Sequence, residues 1–263
     1  MFQRLCVIVL ASLLSCSAHA EDWYAALDGD DGNDCLTVRT PCKTAQSAVQ
    51  RMPLGAHVLH LAPGVYDETI DVSHGRQVSI SGPCPDMNAV TVRQFLVQDN
   101  ATIWVECLST EQVWCRQWSI ADVFDVRFFG MGRTALAAGE TCRINTARTL
   151  VLDKAFVIFA GANNYSTVFL GGDIEVAREG LTSVAYFVSA FDSTVDLTQA
   201  KFSGHPLQAG KRFYLDHGVL VLPPGGVQSI PGAEPGEFVN HSICRGGGIH
   251  GGGDAACKER ANE

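Results

Sequence analysis

Charge is scarce in this chain. Asp, Glu, Lys and Arg make up 18% of its 263 residues, and the acids outnumber the bases by 28 to 19. The formal charge of −9 is a poor match to nucleic acid or an anionic membrane surface, so no nucleic-acid partner is expected. An acidic polysaccharide would also be repelled unless calcium or a local basic patch intervened. Metal-site spacing is missing: no Cys-x-x-Cys pair occurs, and His57, His60, His74, His205, His217, His241 and His250 stand singly. No metal ligand set is therefore expected. After the first twenty residues no apolar run is long enough to span a bilayer, so no transmembrane segment is expected. No hairpin turn of the Asn-Gly type links the apolar runs either, which weighs against antiparallel meanders.

The first twenty residues have the pattern of an export signal. Arg4 supplies the positive region, Leu5 to Leu14 the apolar stretch, and Ala18-His19-Ala20 a small-x-small cleavage site before Glu21. Cleavage there predicts a secreted or periplasmic protein. Leu13-Leu14-Ser15-Cys16 offers the alternative of a lipid anchor at Cys16 and an outer-membrane lipoprotein. Of ten cysteines, Cys6 and Cys16 lie in the leader. The other eight are Cys35, Cys42, Cys84, Cys107, Cys115, Cys142, Cys244 and Cys257. An even number in an exported chain predicts disulfides. Cys35 and Cys42 flank a short loop, and Cys244 and Cys257 flank the tract Gly246-Gly247-Gly248-Ile249-His250-Gly251-Gly252-Gly253, so both are expected as local pairs.

Residues 55–222 form a succession of short alternating or β-branched runs broken by Gly, Asn, Asp and Pro. Val90-Val97, Thr102-Cys107, Ile120-Phe129 and Thr194-Leu197 are examples. The pattern predicts an all-β domain, either a solenoid or a sandwich, and the missing hairpin turns favour the solenoid. No exact repeat is visible. Ahead of it, residues 21–54 read as a loop and a capping helix. Ala45, Ala48, Val49 and Met52 recur at helical spacing within Thr44 to Met52, a helix expected to cover the first open strand edge. Residues 223–263 read as a Gly/Pro-rich tail.

The order of elements from Asp28 to Gly82 carries a resemblance. Gly29-Asp30-Asp31-Gly32-Asn33-Asp34-Cys35 is followed by the helical segment, then by His57-Val58-Leu59-His60-Leu61-Ala62-Pro63-Gly64-Val65-Tyr66 and two short alternating strands. This resembles the opening of bacterial right-handed parallel β-helices of the pectin-lyase-like superfamily. The resemblance implies stacked rungs, with Leu59 and Leu61 inside and Val58 and His60 outside. Rungs sit ~4.8 Å apart, within disulfide reach. Cys84–Cys107 and Cys115–Cys142 are then expected as vertical staples, with Cys107–Cys115 as the competing pair.

The enzymes of that superfamily have residues to look for. Gly64-Val65-Tyr66-Asp67-Glu68 fits the Gly-x-Tyr-x-Glu pattern of pectin methylesterases. Val157-Ile158-Phe159-Ala160-Gly161, however, lacks the esterase aspartate, and no Leu-Gly-Arg-Pro-Trp occurs, which leaves no nucleophilic carboxylate. The Asn-Thr-Asp and Gly-His-Gly motifs of polygalacturonases are absent, as is the Arg-x-Pro-x-x-Arg of pectate lyases, which work with calcium. The leading expectation is a non-catalytic protein that presents a lateral face to a glycan or another surface and needs no cofactor. A divergent polysaccharide lyase (with calcium) or glycoside hydrolase is the alternative, and a structural, tail-spike-like module a third.

Parity along the strands supplies the candidate site. Ile103 and Val105 inward leave Trp104 and Glu106 outward. Apolar residues at alternate positions of Phe124-Asp125-Val126-Arg127-Phe128 leave Asp125 and Arg127 outside. Asp192, Thr194 and Asp196 share a side, and Arg93 is outward if Val90 and Val92 are inward. Trp104, Arg93, Asp192 and Asp196 are therefore the expected ligand-binding residues, because sugars are held by an aromatic face with flanking charged hydrogen-bonding groups. Asp125, Arg127 and Glu106 are the candidates for catalysis.

Overall fold

The computed structural model describes residues 20–130, 134–153, 156–177, 183–207, 210–232, 234 and 236–246. The expected leader with Cys16, the glycine tract from 247 onward and Cys257 lie outside these residues. Among the described residues, seventeen strands join one parallel sheet that winds as a right-handed solenoid of about seven turns.

Each turn contributes to three faces. The first face stacks Glu21–Ala25, Ala56–Leu61, Gln77–Ser81 and the leading parts of Thr102–Cys115, Ile120–Phe128, Arg143–Leu152, Thr167–Val176 and Thr194–Gly204. It closes with Val219–Val221 and Ile243–Arg245. The second face begins with the leading parts of Gly64–Val72 and Val90–Val97 and continues in the later parts of the long strands. The third carries Thr134–Ala138, Phe156–Asn163, Ser183–Phe191, Lys211–Asp216 and Glu237–Val239. The ladder thus starts before residue 55, with Glu21–Ala25, and runs past residue 222 into the Gly/Pro-rich segment.

Period-two alternation puts like residues above one another inside. Val78, Ile103, Ala121, Ile144, Val168, Val195 and Leu220 form one column of fully buried aliphatic side chains. Leu59 and Leu61 are buried and Val58 and His60 are not. Phe128, Phe156, Phe159, Phe187 and Phe202 form an aromatic stack with neighbouring centroids 4.9–6.2 Å apart. Each such side chain contributes roughly 1.5–3 kcal/mol by leaving water. A rung buries this surface only against its neighbours, so the stack is stable as a whole and its ends need covers.

The N-terminal end is closed by the expected helix, Ala45–Arg51. Thr44 caps it, its hydroxyl accepting from the Ser47 N–H, and Ala45, Ala48, Val49 and Met52 are buried. The side-chain amide of Gln46 takes the place of a neighbouring strand. Its Oε1 accepts from the Asp71 N–H at 2.6 Å and its Nε2 donates to the Asp71 carbonyl at 3.4 Å. Glu68 accepts from the backbone N–H groups of Ala45 (2.9 Å) and Gln46 (3.0 Å), two donors with no partner inside the helix. Tyr66 donates from its buried hydroxyl to the carbonyls of Ala25 and Ala62, both at 3.0 Å. Burial, reinforced by the charge of Glu68, pushes this phenol up to about 12. Gly64 sits at φ 152°, where a Cβ would lie 2.5 Å from Leu27 Cδ1. The Gly-x-Tyr-x-Glu pattern is therefore a structural clasp. The Cys35–Cys42 loop covers the outer edge of Glu21–Ala25, with Tyr24 N–H donating to the Cys35 carbonyl and Cys42 N–H to the Tyr24 carbonyl.

Three disulfides join Cys35 to Cys42, Cys84 to Cys107 and Cys115 to Cys142, with Cα separations of 4.9, 5.1 and 5.9 Å. The two vertical staples are those expected from rung spacing, and the Cys107–Cys115 alternative is ruled out. Cys244 is also disulfide-bonded.

Where the third face turns into the first, the chain repeats one backbone corner. His74-Gly75, Asp99-Asn100, Gln117-Trp118, Glu140-Thr141 and Asn164-Tyr165 all have both φ angles between 51° and 72°. Hydrogen bonds link these corners from turn to turn, from Gly75 N to Asp99 O, Asn100 N to Gln117 O, Trp118 N to Glu140 O and Thr141 N to Asn164 O. Just inside, Ser119, Ser166 and Ser193 are buried, and their hydroxyls accept from the N–H groups of Ala101, Cys142 and Ser166 one turn away. These three serines thus satisfy backbone donors that the turn leaves open.

Candidate functional site

The outward side of the first face aligns Trp104, Asp122, Asn145, Phe169 and Asp196 in one register column. Their strand neighbours Ile103, Val105, Ala121, Val123, Ile144, Val168 and Val195 are all buried, which fixes the outward direction. Asn145 donates from Nδ2 to Asp122 Oδ1, and Arg143 donates from Nε to Asn145 Oδ1 at 2.7 Å. The Arg143 guanidinium lies over the Phe169 ring, 4.6 Å from its centroid. A cleft of about 400 Å³ opens here, bounded by Arg143, Asn145, Phe169, Asp196, Thr198 and Gln199. Asp196 helps shape its wall by accepting from the Thr198 N–H.

A second cluster stands where the first face turns into the second. Arg148 donates from one nitrogen, Nη1, to Glu106 Oε2 at 3.2 Å and to Asp125 Oδ2 at 3.1 Å. The hydrogen bond and charge of Asp125, followed by those of Glu106, hold this guanidinium above its ordinary value. Phe124 lies beneath it, its ring centroid 5.4 Å away. Because they share one nitrogen, the two carboxylate oxygens are no more than about 6.3 Å apart. That bound admits the ~5–5.5 Å of a retaining glycosidase pair and falls just short of the ~6.5–9.5 Å of an inverting one. Arg148, however, occupies the space between them in which a glycosidic oxygen or a water would have to sit.

The remaining sequence candidates are placed elsewhere. The register shifts between Phe124 and Val126, and Asp125 adopts φ 49° at this bend. Phe124 therefore faces outward, contrary to the simple alternation, and Asp125 and Arg127 end on different sides of the bend. Arg127 lies on the second face and donates to Asp153 Oδ2 at 3.2 Å. Arg93 is outward at the corner between the second and third faces, 3.5 Å from Asp67. Asp192 is exposed at the corner entering the first face, at φ 46°. The structure thus brings Trp104, Glu106, Asp125 and Asp196 onto one side with Asp122, Asn145 and Phe169, and leaves Arg93 and Arg127 out of it. Arg143, Arg148 and Phe169 were not among the candidates, because they enter the site from separate turns and share no linear motif with the others.

Trp118 and Tyr165 were missed as well, and they are the most exposed large rings among the described residues, at 68% and 79%. Both occupy the second position of the stacked corner, at φ 63°. A visible signal existed: Gln117-Trp118-Ser119 and Asn164-Tyr165-Ser166 share a pattern of amide, aromatic and serine.

Among the described residues, no group of three or more His, Cys, Asp or Glu is arranged to hold a metal ion, and no helix is long and apolar enough to cross a membrane. Comparison of the chain with family models, curated proteins and solved structures finds no match.

Proposed function

We propose that the protein is an exported member of the pectin-lyase-like superfamily that binds a glycan along its first face without cleaving it. The observation that carries this reading is the column of Trp104, Asp122, Asn145, Phe169 and Asp196, with its open cleft beside Arg143. It combines ring faces for sugar C–H surfaces with amide, carboxylate and guanidinium groups for hydroxyls. Disulfides that span successive turns fit an oxidising compartment, which supports export. The non-catalytic part rests on Arg148, which is wedged between the only close carboxylate pair on this side among the described ion pairs.

One observation favours a second reading, a divergent hydrolase or lyase: the proximity of Glu106 and Asp125 itself. The same experiment addresses both. The mature chain is incubated with neutral and acidic polysaccharides, with and without calcium, and assayed for binding and for new reducing or unsaturated ends. Binding without turnover is expected, and Trp104→Ala and Phe169→Ala should each lower affinity at least tenfold. New chain ends that disappear in Asp125→Asn would replace the binding reading with the enzymatic one.

A further inference from the structure

Trp118 and Tyr165 combine two properties that a merely structural residue does not need. Both are bulky side chains held in the left-handed backbone region, which Gly and Asn tolerate and large rings disfavour. The equivalent positions on the first two turns are filled by Gly75 and Asn100. Both rings also stand in solvent. Among the described residues neither meets another ring or a cation, and no hydrogen bond reaches the indole N–H or the phenol O–H. The strain is therefore not offset by packing.

Their spacing is set by the fold. The hydrogen bonds from Trp118 N to Glu140 O and from Thr141 N to Asn164 O put Trp118, Thr141 and Tyr165 in one column. The two rings are thus two turns apart, about 9.6 Å at the usual strand separation. Thr141, between them, is small. In an extended β-1,4-linked glycan each sugar advances by close to one such step, and alternate sugars present the same ring face. The corner also has a charge preference. Asp99, Glu140 and Asp192 lie on it, and none of its corner residues is a lysine or arginine. Arg116, which precedes it on the third turn, is engaged by the Trp114 ring and by Gln98.

We infer that this corner is a ring-stacking site for a neutral, extended β-1,4-linked glycan lying parallel to the solenoid axis. Trp118 takes one sugar, Tyr165 takes the second sugar along from it, and the intervening sugar passes over Thr141. The inference deepens the glycan-binding reading by naming the sugar class, and it uses a surface beside the first face.

The experiment titrates the mature protein with neutral β-1,4-linked di-, tri- and hexasaccharides of glucose and xylose, with polygalacturonate as the anionic control. Binding is read by calorimetry and by Trp fluorescence. A trisaccharide is the shortest ligand that reaches both rings, so affinity should rise at least tenfold from the disaccharide to the trisaccharide. Trp118→Asn and Tyr165→Asn should each abolish that step while leaving thermal stability equal or higher, since Asn accepts the corner conformation. Unchanged affinity in both variants, or tighter binding of polygalacturonate than of the neutral hexasaccharide, would overturn the inference. Loss of binding in Phe169→Ala with full retention in the corner variants would overturn it too, while leaving the first-face reading intact. Loss in the corner variants with retention in Phe169→Ala would do the reverse. A protein that binds none of the neutral oligosaccharides overturns it outright.

Discussion

The N-terminal clasp and the middle of the first face are built from the same residue types and use them in opposite ways. In the clasp, Asp31, Thr44, Gln46, Tyr66 and Glu68 direct their polar atoms at backbone groups of this chain. On the middle turns, Asn145 bonds to Asp122 and Arg148 to Asp125 across turns, Arg143 bonds to Asn145 along its own strand, and all of them remain open to solvent on one side. The clasp is where the sequence is most recognisable, and its chemistry is consumed by the fold. The face has no motif, and its side chains remain available to a ligand. Conspicuous pattern in a solenoid therefore reports how a stack is started, whereas the proposed binding surface is assembled between turns.

That contrast can be broken most directly at Glu68. Glu68→Ala removes a charged acceptor from two helix N–H groups and should cost about 3 kcal/mol, measured by denaturant unfolding, with glycan affinity unchanged. Equal loss of affinity would mean that the two regions are not independent.

Tyr66→Phe should cost about 1 kcal/mol at neutral pH by removing the hydrogen bonds to Ala25 and Ala62. Its pH dependence is more telling. The folded phenol sits near 12 against an ordinary value of 10.0, so the folded state holds its proton more tightly than the unfolded one. The associated stability is present below pH 10 and is lost as pH rises towards 12. Unfolding midpoints across that window should fall less steeply in Tyr66→Phe than in the natural chain.

On the face, Arg148→Met should leave the unfolding midpoint nearly unchanged, because its ion pairs are largely exposed. A clear drop would show that this corner, too, serves mainly the fold. The remaining expected change has the opposite sign. Trp118→Asn should raise stability by up to ~1 kcal/mol through relief of backbone strain, read as a higher unfolding midpoint.

Much of the architecture was legible because it depends on local period and local spacing. Ala45, Ala48, Val49 and Met52 announced the cap, Leu59 and Leu61 the first inward positions, and one-turn separations the two vertical disulfides. The first strand, Glu21–Ala25, was read only as the loop that follows the leader, because a five-residue strand paired to residues 57–61 leaves no local trace. The site was half legible. Parity placed Trp104, Glu106 and Asp196 outward, but it assumes an unbroken strand. At Asp125 the left-handed residue resets the phase, turning Phe124 out and sending Arg127 to another face. Arg148 reaches Glu106 across two turns, a distance of 42 residues that linear reading does not connect.

The amide of Gln46 gives the molecule a direction. A strand edge invites another strand, and at this end the invitation is answered by a side chain that makes two hydrogen bonds and brings no further strand backbone with it. The stack is thereby anchored at one pole. Each turn above it is held by its own neighbours, so this base sets no limit on how many turns the column carries.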